Sequence, residues 1–555
     1  MTQSLRSRWS GIATGLAGSP TLVAALVALW LSLTANLPFA VSFYRSDAAG
    51  TGAAQIFFAF TGWLLGFAVV ALPLVLLAAA LPLRATKSLL MLVLLVCAPM
   101  GYFGNVYGTQ MDRTMFESML ATHRGEAIEL LGWRLALWVA CIGLIPAWWV
   151  WRTPLRSPVS WRKAMLQSTL ACLVGSAVVA GLALVEFKSL ASALRNRSVS
   201  FYAVAPVNLV FASISHWRTV HQTVTVRAAR GTDAQMKYAL PKHRLVVLVL
   251  GETARAQNYS LDGYHRETNP RMRAERALYF TGATSCGTAT ADSVPCIFSG
   301  LGRGKYGAAL AKNQETLVDV VRRSGTKVIW RDNDGGCKGV CDAAEVENVT
   351  DSTDPRFCRP GEQSECVDEI LLDGLEQRLT GLDGDTLLVL HLKGSHGPAY
   401  YKRYPKAFEK FAPTCQSNEL SACSTAELVN SYDNTILYTD HILGEVTGIL
   451  KRLEARFATA MFYVSDHGES LGERGLYLHG APYAIAPPEQ TRIPMLAWLS
   501  PQFIALERWS EACLRSPLPA APSHDNVYAT VLGLLEIETR EYDKAKDVFD
   551  RCDPH

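Results

Sequence analysis

Several features are scarce or missing in this 555-residue sequence, and each absence narrows what the chain can be. None of its 13 cysteines falls in a Cys-x2-Cys spacing, which argues against zinc ribbons. No internal repeat or low-complexity tract is present, so solenoid architectures are excluded. No small-residue cleavage site follows the first apolar run, which therefore reads as a retained anchor and not as a removed signal peptide. Residues 1–190 hold only 6 Asp+Glu beside 13 Lys+Arg, so long stretches there carry no charge at all.

What fills those stretches is apolar. Five runs near 20 residues each, long enough to cross a bilayer, lie at about 21–41, 56–81, 88–107, 131–151 and 165–187. Trp30, Phe43, Trp63, Tyr102, Trp148, Trp149 and Trp151 sit near their ends, as interfacial aromatics do. Five such runs in succession fit the buried helices of a soluble protein poorly. Basic residues concentrate at Arg6 and Arg8, at Arg84 and Lys87, and at Arg152, Arg156, Arg162 and Lys163. The connections holding Arg45 and Asp47, and Asp112 to Glu129, are mixed. Positive charge stays inside, so the amino terminus is expected in the cytoplasm and everything beyond about residue 188 outside it. The remaining 365 residues carry 40 Lys+Arg and 44 Asp+Glu, and this acidic balance argues against a nucleic-acid partner.

The cysteines give independent evidence for export. Cys97, Cys141 and Cys172 lie in apolar spans, and the other ten all follow residue 280. Adjacency pairs Cys286 with Cys296, Cys337 with Cys341, Cys358 with Cys366 and Cys415 with Cys423, leaving Cys513 for Cys552. An even count in an exported domain reads as a disulfide framework.

The expected fold class is an N-terminal five-helix transmembrane domain (1–187) followed by a C-terminal α/β domain (244–555). Between them, residues 188–243 are polar and mixed, with Phe201, Tyr202, Phe211 and Trp217 interspersed; they read either as interfacial helices or as a plain linker. From Arg244 onward, strand-like runs (245–250, 327–330, 386–392, 459–464) alternate with helical ones (313–323, 367–379, 427–452). That alternation predicts a largely parallel sheet, whose ligands bind beyond the carboxyl ends of the strands.

Polar motifs stand at those ends. The first strand runs into Gly251-Glu252-Thr-Ala-Arg-Ala256, and a later one into Ser465-Asp466-His467-Gly-Glu469. Between them in sequence, Ser285-Cys-Gly-Thr-Ala-Thr290-Ala sets small hydroxyl residues in a turn. A threonine hydroxyl is a weak nucleophile until a base or metal activates it. Glu252 and Asp466 offer anionic oxygens, His467 an imidazole nitrogen and Thr290 the reactive oxygen, a donor set that suits Zn²⁺. His396, in His396-Gly-Pro-Ala-Tyr, and His479 could bind a phosphate, transfer protons or hold a second metal. Lys338 is a candidate phosphate contact.

These motifs, in this order, resemble the phosphoethanolamine transferases that modify lipid A, including the mobile colistin-resistance enzymes. The resemblance covers nearly the whole chain and implies an exported domain of the alkaline phosphatase/sulfatase superfamily. It implies Thr290 as nucleophile, with Glu252, Asp466 and His467 sharing one tightly bound Zn²⁺. It also implies that His396, His479 and Lys338 handle the phosphate of the transferred group. Tyr107, Ser118, Thr122 and Glu126 match the family's membrane-side substrate positions, with Ser118 standing where the family usually has Asn. The implied donor is phosphatidylethanolamine and the implied acceptor a phosphate of lipid A. The result would be resistance to polymyxins and other cationic peptides, because a capped phosphate attracts them less. The expected setting is the bacterial inner membrane, with a monomeric chain and its catalytic domain in the periplasm. Rival readings are a transferase acting on lipopolysaccharide core sugar, a hydrolase of the same superfamily, and a non-catalytic phospholipid receptor.

Overall fold

The computed structural model describes residues 18–46, 51–122, 124–157, 160–195, 201–222, 226–237, 242–350, 352–359 and 366–553. Arg6, Arg8 and Asp47, which entered the orientation argument, lie outside them. The chain divides into two compact units, one of residues 1–116 and 131–214, the other of 117–130 and 215–555.

The first unit is helical. Among the described residues, Ala53–Ala80, Leu83–Val106, Trp133–Arg152 and Trp161–Val185 are each long and apolar enough to cross a membrane. The first expected span is instead a bent pair, Pro20–Leu33 and Leu37–Tyr44, turning by 53°. The turn falls at Thr34–Asn36, and the Asn36 amide exchanges two 2.8 Å hydrogen bonds with the Ala205 backbone. Those bonds satisfy polar groups that lipid could not. Small residues let these helices approach. Gly62 faces the Phe43 ring, Gly66 faces Phe39, and Gly101 abuts Ala35, each too closely for a side chain. Helix Val207–Gln222, in the connector, exposes Val210, Phe211, Ile214 and Trp217 at helical spacing.

The second unit is built on a seven-stranded sheet. Its strands are β1 (His243–Gly251), β2 (Leu278–Tyr279), β3 (Lys327–Asp332), β4 (Glu345–Asn348), β5 (Thr386–His391), β6 (Phe457–Ser465) and β7 (Met495–Leu499). The order is β2-β7-β6-β1-β5-β3-β4. The five strands from β6 to β4 run parallel, and β7 and β2 add on antiparallel. β1, β5 and β6 are continuous apolar runs because both faces of the sheet are covered. The expected helix at 313–323 starts at Leu317, where Thr316 and Asp319 form a capping box that ends the preceding loop. The expected helix at 367–379 is two pieces, Asp368–Leu372 and Leu375–Thr380, because the chain turns at Asp373–Gly374. Thr425–Arg452 forms one long helix, capped by Ser424 and Glu427.

Five disulfides join Cys286–Cys296, Cys337–Cys341, Cys358–Cys366, Cys415–Cys423 and Cys513–Cys552, the pairing that adjacency predicts. Near the carboxyl end, Asp547 is buried and accepts hydrogen bonds from Phe549 N–H and the Tyr542 hydroxyl. Burial pushes its pKa up to about 7. Between pH 4 and 7 the unfolded chain ionises this carboxyl while the folded one resists, so its contribution to stability falls as pH rises. The loss is complete above about pH 7 and is bounded at roughly 4 kcal/mol. Asp547→Asn should therefore melt higher than the parent at pH 8 and show little gain at pH 4. Thermal melts of the two proteins across that range check it, and equal gains at both ends would refute it.

Candidate active site

The sheet register gathers the site. Gly251 of β1 lies opposite Ser465 of β6, so Glu252 and Asp466 leave neighbouring parallel strands side by side. The Asp466 N–H donates to Gly251 O at 2.9 Å, and Asp466 Oδ1 accepts from the backbone N–H groups of Thr253 and His467. Thr290 arrives from another layer as the first residue of helix Thr290–Ser299. The Cys286–Cys296 disulfide brackets that turn. His524 ties it to β6, accepting from Cys286 N–H at Nδ1 and donating from Nε2 to Ser465 O. A helix amino terminus presents free N–H groups and partial positive charge, which favours an anionic ligand at Thr290.

The four side chains converge. Thr290 Oγ1 donates to Glu252 Oε2 at 3.0 Å. His467 Nε2 stands 3.4 Å from Thr290 Oγ1, 3.4 Å from Glu252 Oε1 and 3.3 Å from Asp466 Oδ2. Those three separations are long for hydrogen bonds. They match the roughly 3.3 Å between ligands on one tetrahedral ion with 2.0–2.1 Å bonds. His467 Nδ1–H donates to Gly468 O, which leaves Nε2 as the bare nitrogen facing the cluster. Glu252 Oε1 and Asp466 Oδ2 are buried without a hydrogen-bond partner. Glu252, Asp466 and His467 are fully buried, whereas Thr290 is partly open to solvent.

Electrostatics fit the same picture. Burial, then Asp466 and Asp334, hold the Glu252 carboxyl well above its usual range. Burial also disfavours charge on Asp466, but His467, Glu252 and the Thr253 N–H outweigh it and keep this carboxyl below its usual range. Burial pushes His467 down to about 4, so its imidazole is neutral at pH 7. The residues present suit a divalent cation, which would compensate the crowded carboxylates and occupy the orphaned oxygens.

Around this cluster stands a row of histidines. The His479 ring lies 4.5 Å from His467 and 5.5 Å from His396, centre to centre. Buried Glu469 holds His479 Nδ1 at 3.1 Å. Burial and the neighbouring His479 and Arg403 keep His396 well below its usual range. Lys338 lies within electrostatic reach of His391 and donates to Gly335 O.

The membrane-side set is divided. Tyr107 belongs to the helical unit, buried against Tyr102 and Phe103. Ser118, Thr122 and Glu126 belong to the second unit, where Thr122 Oγ1 donates to Ser118 O. The side chain of Glu126 lies outside the described part. Three residues further on, Glu129 is buried and paired with Arg403, whose Nε donates to His396 O.

Sequence reasoning passed over Glu469, His391, Asp332, Asp334 and His524. The first sits inside the quoted Asp-His-Gly-Glu motif, and His391 is the one polar residue in an otherwise apolar strand end. Asp332 ends β3, and Asp334 lies in the bend that follows it. His524 had no sequence signal, since its role depends on contacts 59 and 238 residues away.

A covered parallel sheet with carboxylates, imidazoles and a hydroxyl at its strand ends defines an alkaline phosphatase/sulfatase-like domain, here carried by a chain with membrane-spanning helices. Residues 244–537 match the Sulfatase family, and residues 67–220 match the family described as Phosphoethanolamine transferase EptA/EptB. The chain is 40% identical over 471 residues to Phosphoethanolamine transferase EptA of Escherichia coli (strain K12), covering 84% of this chain and 85% of that one. It is 35% identical over 543 residues to Phosphatidylethanolamine transferase Mcr-1 of Escherichia coli, covering 95% and 96%. The structure of the integral membrane protein lipooligosaccharide phosphoethanolamine transferase A (EptA) from Neisseria meningitidis superposes with a TM-score of 0.89. It is 36% identical and covers 97% of this chain and 99% of that one. The chain belongs to the phosphoethanolamine transferase family.

Proposed function

We propose that this protein transfers phosphoethanolamine from phosphatidylethanolamine to a phosphate of lipid A through an ester on Thr290. One observation carries the reading. A partly open threonine at a helix amino terminus donates its hydroxyl to a buried glutamate, and an aspartate and a bare imidazole nitrogen share the same cluster. Glu252, Asp466, His467 and Thr290 would hold Zn²⁺, which when bound favours the alkoxide and draws charge from phosphoryl oxygens.

The residues of the chain do the rest. Thr290 Oγ gives up its proton and forms a bond to phosphorus as the bond to diacylglycerol oxygen breaks, and that leaving oxygen takes up a proton. A lipid A phosphate oxygen then displaces Thr290 and carries the group away. His396, His479 and Lys338 bind and orient the phosphoethanolamine phosphate, and the helix terminus faces the charge that builds on it. Glu469 fixes the His479 ring, and Arg403 fixes the His396 backbone. Tyr107, Ser118, Thr122 and Glu126 contact the lipid substrates. On this reading residues 1–187 lie in the inner membrane, 188–243 lie along its outer face and 244–555 work in the periplasm, as a monomer. Both substrates are lipids, so anchorage raises their encounter frequency without tight binding.

Intact-protein mass spectrometry after incubation with phosphatidylethanolamine tests this directly. The expected result is a gain of one phosphoethanolamine, absent in Thr290→Ala and discharged by added lipid A. Discharge onto core oligosaccharide alone would replace the acceptor. No adduct in zinc-loaded protein would overturn the covalent route.

A further inference from the structure

Glu252 belongs to two clusters. Besides Asp466 and His467, it meets Asp334 and His391, and one ligand atom from each of these three buried residues lies within 4.8 Å of the others. The register explains the meeting. His391 ends β5, between Leu250 of β1 and Asp332 of β3, so three adjacent parallel strands deliver their polar ends to one place.

His391 is oriented for ligation. Its Nδ1 lies 2.8 Å from Asp332 Oδ2. Asp332 is itself pinned: Oδ1 accepts from the Asp334 and Gly336 N–H groups, and Oδ2 accepts from Trp330 Nε1. A carboxylate so fixed places the imidazole proton on Nδ1 and leaves Nε2 its lone pair, the arrangement found behind metal-bound histidines. That Nε2 is fully buried, has no hydrogen-bond partner and points at Asp334 Oδ2 from 3.6 Å. The rival occupant is a second proton on His391, making an imidazolium between Asp332 and Asp334. An imidazolium facing a buried carboxylate would close to about 2.7–2.9 Å. The wider gap is near the roughly 3.3 Å that separates two ligands of one ion.

We propose that Glu252, Asp334 and His391 form a second divalent-cation site, bridged by Glu252 to the cluster of Asp466 and His467. Two carboxylates and one imidazole suit Zn²⁺ or Mn²⁺. This site is separate from any ion held by His396 and His479.

The test is anomalous diffraction at the zinc edge from crystals of the full chain equilibrated with a slight excess of ZnCl₂, beside elemental analysis of dialysed protein. Two peaks are expected, one among Glu252, Asp466, His467 and Thr290, the other among Glu252, Asp334 and His391. Asp334→Asn, nearly identical in shape, and His391→Gln should each lose one metal equivalent per chain. A filled first site with nothing at His391, or a second peak at His396 and His479 alone, overturns the proposal. An unchanged metal count in Asp334→Asn does so as well. In each of those cases the zinc reading of the first site survives; only empty density at both would remove the two together.

Discussion

Thr290→Ala should reduce phosphoethanolamine transfer by at least about a thousandfold, since loss of an attacking oxygen commonly costs 10³–10⁶ in rate. The fold should be unaffected. Thr290 is the first residue of its helix and the Cys286–Cys296 disulfide holds the turn without it. Its hydroxyl bonds one buried group, Glu252, so the melting temperature should move by no more than a few degrees. Glu252, Asp466 and His467 still offer three ligands, so metal should be weakened but present. Thr290→Ser keeps the oxygen and should retain measurable turnover. Transfer from a labelled phosphatidylethanolamine, measured beside zinc content, separates these cases. A fully metallated Thr290→Ala enzyme keeping a tenth of parental rate would remove Thr290 as nucleophile.

Gly394→Ala should slow transfer about a hundredfold while touching no catalytic atom. Gly394 has a φ of +53°, and a Cβ there would stand 2.7 Å from Glu252 O and 3.0 Å from Glu252 N. Both are backbone atoms that cannot swing aside, and the Ser395 N–H donates to that same Glu252 carbonyl. The strand end bearing Glu252 must shift, and displacements near 1 Å in a catalytic group cost about a hundredfold. Backbone strain and overpacking together should cost about 2–4 kcal/mol. Gly384→Ala supplies the control. It shares a positive φ, +93°, but a Cβ there meets nothing within 4 Å. It should lose about 1 kcal/mol and keep its activity and metal. Equal activity in the two variants would show that contact with Glu252 is not what Gly394 protects.

Much of the second unit was readable from its sequence because its parallel strands are uninterrupted apolar runs. Leu245–Leu250 and Thr459–Val464 are extended by only one or two residues at each end in the structure. Glu252, Asp466, His467 and Thr290 were legible for a related reason: each follows an abrupt change from apolar strand or small-residue turn to polar side chain. The short antiparallel strand Leu278–Tyr279 gave no such signal, because two residues carry no period. The bend in the first membrane helix was equally hidden. Thr34 and Asn36 are compatible with a straight span until Ala205, 169 residues away, accepts and donates at the break. Asp332 carried no such mark in the sequence, and only the register of β3 against β5 sets it beside His391.

The five disulfides have a further consequence when the chain is viewed as a covalent graph. Their sequence separations are 4, 8, 8, 10 and 39, so each closes a small ring on its own segment, and no two rings overlap. The graph is a string with five beads. Residues 424–512, which include β6, Asp466, His467 and His479, lie on bare string between two beads. Each ring can close as soon as its own segment leaves the membrane, in order of emergence, with no wait for distant partners. The same locality means that one cut between rings frees two pieces held together only by packing and hydrogen bonds. Proteolysis within residues 424–465, followed by denaturation, should then part the Thr290 and Asp466 halves of the site without any reductant.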